Sequence, residues 1–316
     1  MSDIEPLFPP ELEQAIFECA AESAHECIPV LLLVCSRVYH WIEPMQFRTI
    51  TASRIRLALP SLALLRYDDS YELPQDFPSR LAEALTPAVY HKPKSPDFLH
   101  RHVRNLSTDK TDISALLFSL CTGVTNLYFR VFFEDLKPSI FPLLFALKLR
   151  RLSMPLQLLV DNLSSPGHPF FSTITHFQAI GRGALDTEAT HWPEFLATHF
   201  PALTHVSFSL WNVSFPAVLS TIDGAGMQNL YTEVLRRCTT LQVLVHFFVR
   251  IGSIHVPDVR DIRAVGVKSE GFHESDWLED IRGSTDLWTR AEVVIEERHL
   301  VPSWIRIHRS PSVNHV

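Results

Sequence analysis

From residue 103 onward a short apolar signature recurs: VRNL at Val103, VTNLYF at Val124, LRRLSM at Leu149, ITHFQA at Ile174, LTHVSF at Leu203 and LQVLVH at Leu241. Residues at positions one, four and six of each stretch are set to pack on their neighbours, and strand alternation turns positions three and five the other way. Helical spacing of apolar residues runs between the stretches, over Asp112 to Cys121, Leu156 to Leu163, Glu188 to His199 and Asn229 to Cys238. One short strand plus one helix cannot bury its own apolar edge, so the pattern predicts units stacked side by side with their strands parallel.

The fourth positions, Leu106, Leu127, Leu152, Phe177, Val206 and Leu244, are 21, 25, 25, 29 and 38 residues apart. These intervals begin inside the leucine-rich-repeat range of about 20 to 29 and then lengthen. The expected architecture is α/β: an irregular leucine-rich-repeat-like solenoid with parallel strands over 103–255, lacking the usual asparagine ladder, with an ordinary α/β domain as the alternative. Positions three and five would line its concave face, namely Asn105 and Ser107, Asn126 and Tyr128, Arg151 and Ser153, His176 and Gln178, His205 and Ser207. Among these, Asn105, Asn126, Tyr128, Arg151, His176, Gln178 and His205 are the candidate contacts to a protein target; a merely solvated sheet face is the other reading. Arg104, Arg150 and Arg151, with Arg101 and His102, could bind a phosphorylated segment or form a solvated charge cluster.

Residues 8 to 47 read FPPELEQAIFECAAESAHECIPVLLLVCSRVYHWIEPMQF. Two prolines precede Glu11, and Leu12, Ala15, Ile16 and Cys19 recur at helical spacing. The pattern restarts at Pro29, where Leu31, Leu32, Val34, Cys35, Val38 and Trp41 surround most of a second helix that needs partners on more than one side. The stretches FPPELEQAIF and VLLLVCSRVYHWIEPMQF resemble the F-box-like opening of a large group of fungal, basidiomycete-type proteins. The resemblance implies that this segment docks on a Skp1-like adaptor of a cullin-type ubiquitin ligase. It places Phe8 and Pro9 at the family's leucine-proline entry, Leu12 and Ile16 on the first helix, and Leu32, Val34, Cys35, Arg37, Val38 and Trp41 on the second. The departures are Phe8 for leucine and a long joint from Ala20 to Ile28. A helical cap shielding the end of the repeat core is the competing expectation.

The expected organisation is an F-box-like helical segment over 1–50, a helical linker or repeat cap over 51–102, the solenoid over 103–255, and a last strand, C-terminal capping helices and a frayed tail over 256–316. The last strand is expected in VPDVRDIRAVGV, and Trp277 and Trp288 lead amphipathic patterns of which the latter would close the open end. The D-x-W-x-x-A-E pattern of Asp286, Trp288, Ala291 and Glu292, with Arg298, resembles the same fungal family.

Composition narrows the function. With 316 residues, 46% of them hydrophobic, the chain can bury a sizeable core without staples, and the net charge of −7 disfavours broad nucleic-acid binding. Five cysteines without a CxxC pair point to reduced thiols, and the apolar run PVLLLVC is far too short to cross a bilayer. With no leader visible in the first twenty residues, a cytoplasmic or nuclear protein is expected, without membrane association and monomeric outside its complex. Searches for GxxxxGK[ST], GxSxG, HExxH and GxGxxG fail, and the histidines His100 and His102 have no acidic or cysteine partner at ligand spacing. No catalytic residue, metal or cofactor is expected. The resemblance to the F-box-like family implies a non-catalytic substrate-recognition subunit of a Skp1-cullin-type ligase with an unknown protein target; a ubiquitin-independent repeat scaffold is the alternative.

Overall fold

The structure, a computed structural model, describes residues 8–52, 96–109, 111–130, 137–162, 167–182, 191–211, 224–249, 259, 261–269, 277–278, 281 and 286–300. Residues 53–95 of the expected helical linker and the expected frayed tail lie outside this set. The chain divides into two compact units, Met1–Leu149 and Arg150–Val316.

The first unit opens with α1 (Pro10–Ser23), a single 3-10 turn at His25–Cys27, the short α2 (Ile28–Leu31) and α3 (Ser36–Gln46). Proline at the start of α1 fits a first turn, whose N–H groups lack intrahelical partners anyway. The expected second helix is interrupted: Cys35 is extended, with φ −165° and ψ 166°, and α3 starts behind it. Residues 28, 31, 38 and 42 keep helical spacing across this break and no capping side chain marks it, so periodicity gives no sign of it. Ala21, Ile28, Val38 and Ile42 form a small core of their own, with Phe17, Leu31, Leu32, Trp41 and Met45 packed around it.

Behind α3 comes β1 (Thr49–Ala52), a strand that the repeat signature does not announce. It is followed by α4 (Pro96–His102), β2 (Asn105–Thr108), α5 (Thr111–Leu120), β3 (Asn126–Phe129) and α6 (Phe141–Phe145). The three strands are parallel and in register at position three, Thr49 beside Asn105 beside Asn126. Position six faces the helices: the Thr108 hydroxyl meets that of Ser114 on α5 at 2.7 Å, and Phe129 meets Phe118 edge to face.

The second unit contains β4 (Arg151–Met154), α7 (Leu156–Asn162), β5 (His176–Arg182), α8 (Trp192–His199), β6 (His205–Trp211), α9 (Gly224–Arg237), β7 (Val243–Val249), β8 (Ala264–Ser269) and α10 (Leu287–Leu300). All four pairings from β4 to β8 are parallel, and Arg151, His176, His205 and Val243 stand abreast. Each of the six signature stretches thus forms a parallel strand, and β8 fills the end of the segment read as a last strand. Phe208 on the helix-covered face stacks with Tyr231 of α9 and lies parallel to Trp192 of α8.

A repeated hydrogen-bond device sets the register. The carbonyl at position two of one strand accepts from the N–H groups at positions two and three of the next: Arg104 from Thr125 and Asn126, Arg150 from Thr175 and His176, Thr175 from Thr204 and His205, Thr204 from Gln242 and Val243. The hydroxyls of Thr125, Thr175 and Thr204 donate to the same carbonyls at 3.4, 3.3 and 3.1 Å. These threonines repeat at position two of strands that, as the sequence indicates, lack the usual asparagine ladder.

Candidate functional site

Two regions collect the candidate residues. The first is the exposed side of the N-terminal helices. In α1, Phe17 and Ala21 turn inward, which leaves the side carrying Leu12 and Ile16 to solvent; these two are 54% and 53% exposed, and Phe8, ahead of the helix, is 46% exposed. Pro9 and Val34 are exposed, as are Val30 and Leu33, which sequence reasoning did not single out. Leu32 and Trp41 are half-buried and Val38 is fully buried, so these three serve the segment's own core. Six of the eight exposed large hydrophobic side chains among the described residues lie between Phe8 and Val34. An unpaired apolar surface of this density is costly in water unless a partner covers it.

Carboxylates flank these apolar residues. Glu11, Glu13, Glu18, Glu22 and Glu26 fall in the same stretch, which contains no lysine or arginine. Arg37 pairs with Glu13, and Arg48 pairs with Glu22 at 3.0 Å.

The second region is the sheet face formed by positions three and five. In the first unit Asn105 donates to the Thr49 hydroxyl at 3.0 Å and accepts from Asn126 at 2.7 Å, so the two asparagines are tied across neighbouring strands. Asn105 and Tyr128 are buried and Asn126 is half-buried. In the second unit the Ser153 hydroxyl donates to Gln178 at 2.8 Å, and both are buried.

Three of the expected target contacts in the second unit are engaged by α10. Arg151 pairs with Asp286 at 3.0 Å, and His205 Nε2 meets Glu292 at 3.0 Å. The rings of His176 and His205 stack at 4.2 Å, and Trp288 sits edge-on to both, at 5.3 and 5.6 Å. Burial pushes the His176 imidazole down to about 3, helped by His205 and Arg151 and opposed by Asp286. Burial also lowers His205, against its hydrogen bond to the Glu292 carboxylate and that group's charge. Burial thus favours the neutral form of both rings.

The C-terminal helix α10 packs on β7 and β8 and also engages this face. Leu287, Trp288, Ala291 and Ile295 pack on Val243 and Val245 of β7 and on Val265 and Val267 of β8. The D-x-W-x-x-A-E residues are the clamp itself: Asp286 caps the helix by accepting from Thr289 N–H at 2.6 Å while holding Arg151, and Arg298 donates to the Ala264 carbonyl at 2.6 Å. The sequence carries a signal for this cover. Positions three and five are polar through LTHVSF but become Val243 and Val245 in LQVLVH, where a solvated face would stay polar.

Of the expected arginine cluster, Arg104 donates to the Gly123 carbonyl at 2.9 Å, while Arg101 and Arg150 are exposed. Cys19, Cys27 and Cys35 are exposed and Cys121 and Cys238 buried, all as free thiols. Among the described residues no helix is long and apolar enough to cross a membrane, and no group of three metal-ligating side chains occurs. No protein-family model matches the chain, and no curated protein matches it either.

Proposed function

We infer that this chain is a non-catalytic interaction subunit whose F-box-like N-terminal helices hold a Skp1-like adaptor, while a leucine-rich-repeat-like body holds a protein target for ubiquitination. The observation carrying this reading is the exposure of Phe8, Leu12 and Ile16, and of Val30, Leu33 and Val34, on a lead that already has its own small core. A helical segment that only capped the repeats would turn such residues inward. In this role the chain performs no chemistry; it supplies proximity between the target and the ligase's transfer machinery.

Loops, and in the first unit the half-buried Asn126, are the places left for a target. Asn105, Tyr128, Gln178 and His205 are buried and offer a target little surface. A ubiquitin-independent scaffold is the second reading, favoured by the burial of Val38 and the part-burial of Leu32 and Trp41, which a simple cap would share.

Co-purification with a Skp1-like adaptor separates the two. Leu12→Asp with Pro9→Ala is expected to abolish capture while leaving the circular-dichroism spectrum and thermal midpoint unchanged. Absence of capture by the unaltered chain, or undiminished capture by the variant, overturns the adaptor role.

A further inference from the structure

A groove of about 580 Å³ runs between α1 and α3, beside the exposed ridge. Its apolar lining is Ala15, Cys19, Trp41, Pro44 and Met45. On α1, Ala15 and Cys19 follow Leu12 and Ile16 around the helix, so groove and ridge form one continuous surface. Glu18 and Glu22 line the α1 side; Arg48, His40 and His102 are the cationic or titratable groups among the remaining lining residues. Arg48 is spent on Glu22. Glu18 receives only the uncharged amide of Gln14, at 2.7 Å through one oxygen, and its charge has no cationic partner among its hydrogen bonds.

We propose that this groove takes a long basic side chain, lysine or arginine, carried by an amphipathic helix of a partner protein whose apolar face covers Leu12 and Ile16. The aliphatic stem lies along Trp41, Met45 and Ala15, and the charged head meets Glu18. The argument is charge complementarity: the ridge lies in a stretch with five carboxylates and no lysine or arginine, and the groove beside it combines an apolar floor with a carboxylate. The inference deepens the docking reading by naming the chemistry of the partner, and it is tested without the adaptor.

Two synthetic helical peptides with the same leucine face, one flanked by lysines and the other by glutamates, are titrated into the full chain by fluorescence anisotropy at low and high salt. The lysine peptide is expected to bind, more weakly as salt rises, and Glu18→Lys to weaken it about fivefold, the scale of one partly screened charge contact. Leu12→Asp removes binding of either peptide. A control with Glu296→Lys and Glu297→Lys, exposed on α10, should leave binding unchanged. Equal binding of both peptides, no effect of Glu18→Lys, an equal loss in the control, or no binding at all overturns the basic-helix proposal. Self-association of the chain that Leu12→Asp abolishes would also overturn it, because a second copy would then be the occupant. Adaptor capture that survives Glu18→Lys but fails with Leu12→Asp would leave the docking role standing while the groove assignment falls.

Discussion

At the scale of single residues, the sharpest constraint is Gly123, in the turn between α5 and β3. A Cβ there would stand 1.8 Å from the His100 carbonyl oxygen and 2.7 Å from Arg104. The backbone must therefore shift in Gly123→Ala, at a cost of about 1–3 kcal/mol, read as a lower urea midpoint with unchanged slope. The buried imidazoles make a second prediction. His176 and His246 are held down to about 3 and about 4 by burial, so the folded chain keeps them neutral where the unfolded chain protonates them. Stability is then at its full value above about pH 6.5 and falls as pH drops below it, by up to about tenfold in the folding equilibrium per histidine per pH unit. Denaturant midpoints measured from pH 7.5 to pH 5 should follow this slope, and His176→Gln should flatten it. An unchanged slope in that variant would contradict the burial argument.

At the scale of elements, the interactions that hold α10 can be separated. Trp288→Ala removes a buried ring from the β7–β8 cluster and from the histidine pair, with an expected cost of about 3–5 kcal/mol. Asp286→Asn keeps a capping oxygen for Thr289 and loses the charge facing Arg151, whereas Asp286→Ala loses both. Thermal unfolding should rank the alanine variant below the asparagine variant by about 1 kcal/mol. These elements were unequally legible. The six signature strands could be read because positions one, four and six repeat in the sequence. Strand β1 could not: its TITA follows α3 with none of that rhythm, and its place is set by pairing to Asn105 and its neighbours. The break at Cys35 left no trace in side-chain type. The direction of α10 was readable in part, through Val243 and Val245, but the pairing of Arg151 with Asp286 joins positions 135 apart, a separation that local pattern does not encode.

At the scale of the whole molecule, stacking makes each strand depend on its neighbours. Phe177 is completely buried on the helix-covered face of β5, between β4 and β6. Phe177→Ala should lower amide hydrogen-exchange protection in β4, β5 and β6 together, as expected where adjacent units share one core. Loss confined to β5 would contradict that cooperativity. The candidate site divides along the same line. That Leu12 and Ile16 share one side of α1 follows from their helical spacing, but their exposure, and that of Phe8 ahead of the helix, does not. The polar face was recognisable as a row of residues, yet its burial depends on distant parts of the chain. The α10 cover also has a consequence for biosynthesis. Ribosomes deliver about 5–20 residues per second, so Arg151 waits on the order of ten seconds for Asp286 to be made. During that interval the nascent chain carries the valines of β7 and β8 bare as they emerge, which marks it for chaperone capture, and a premature stop codon before Asp286 would leave them bare for good.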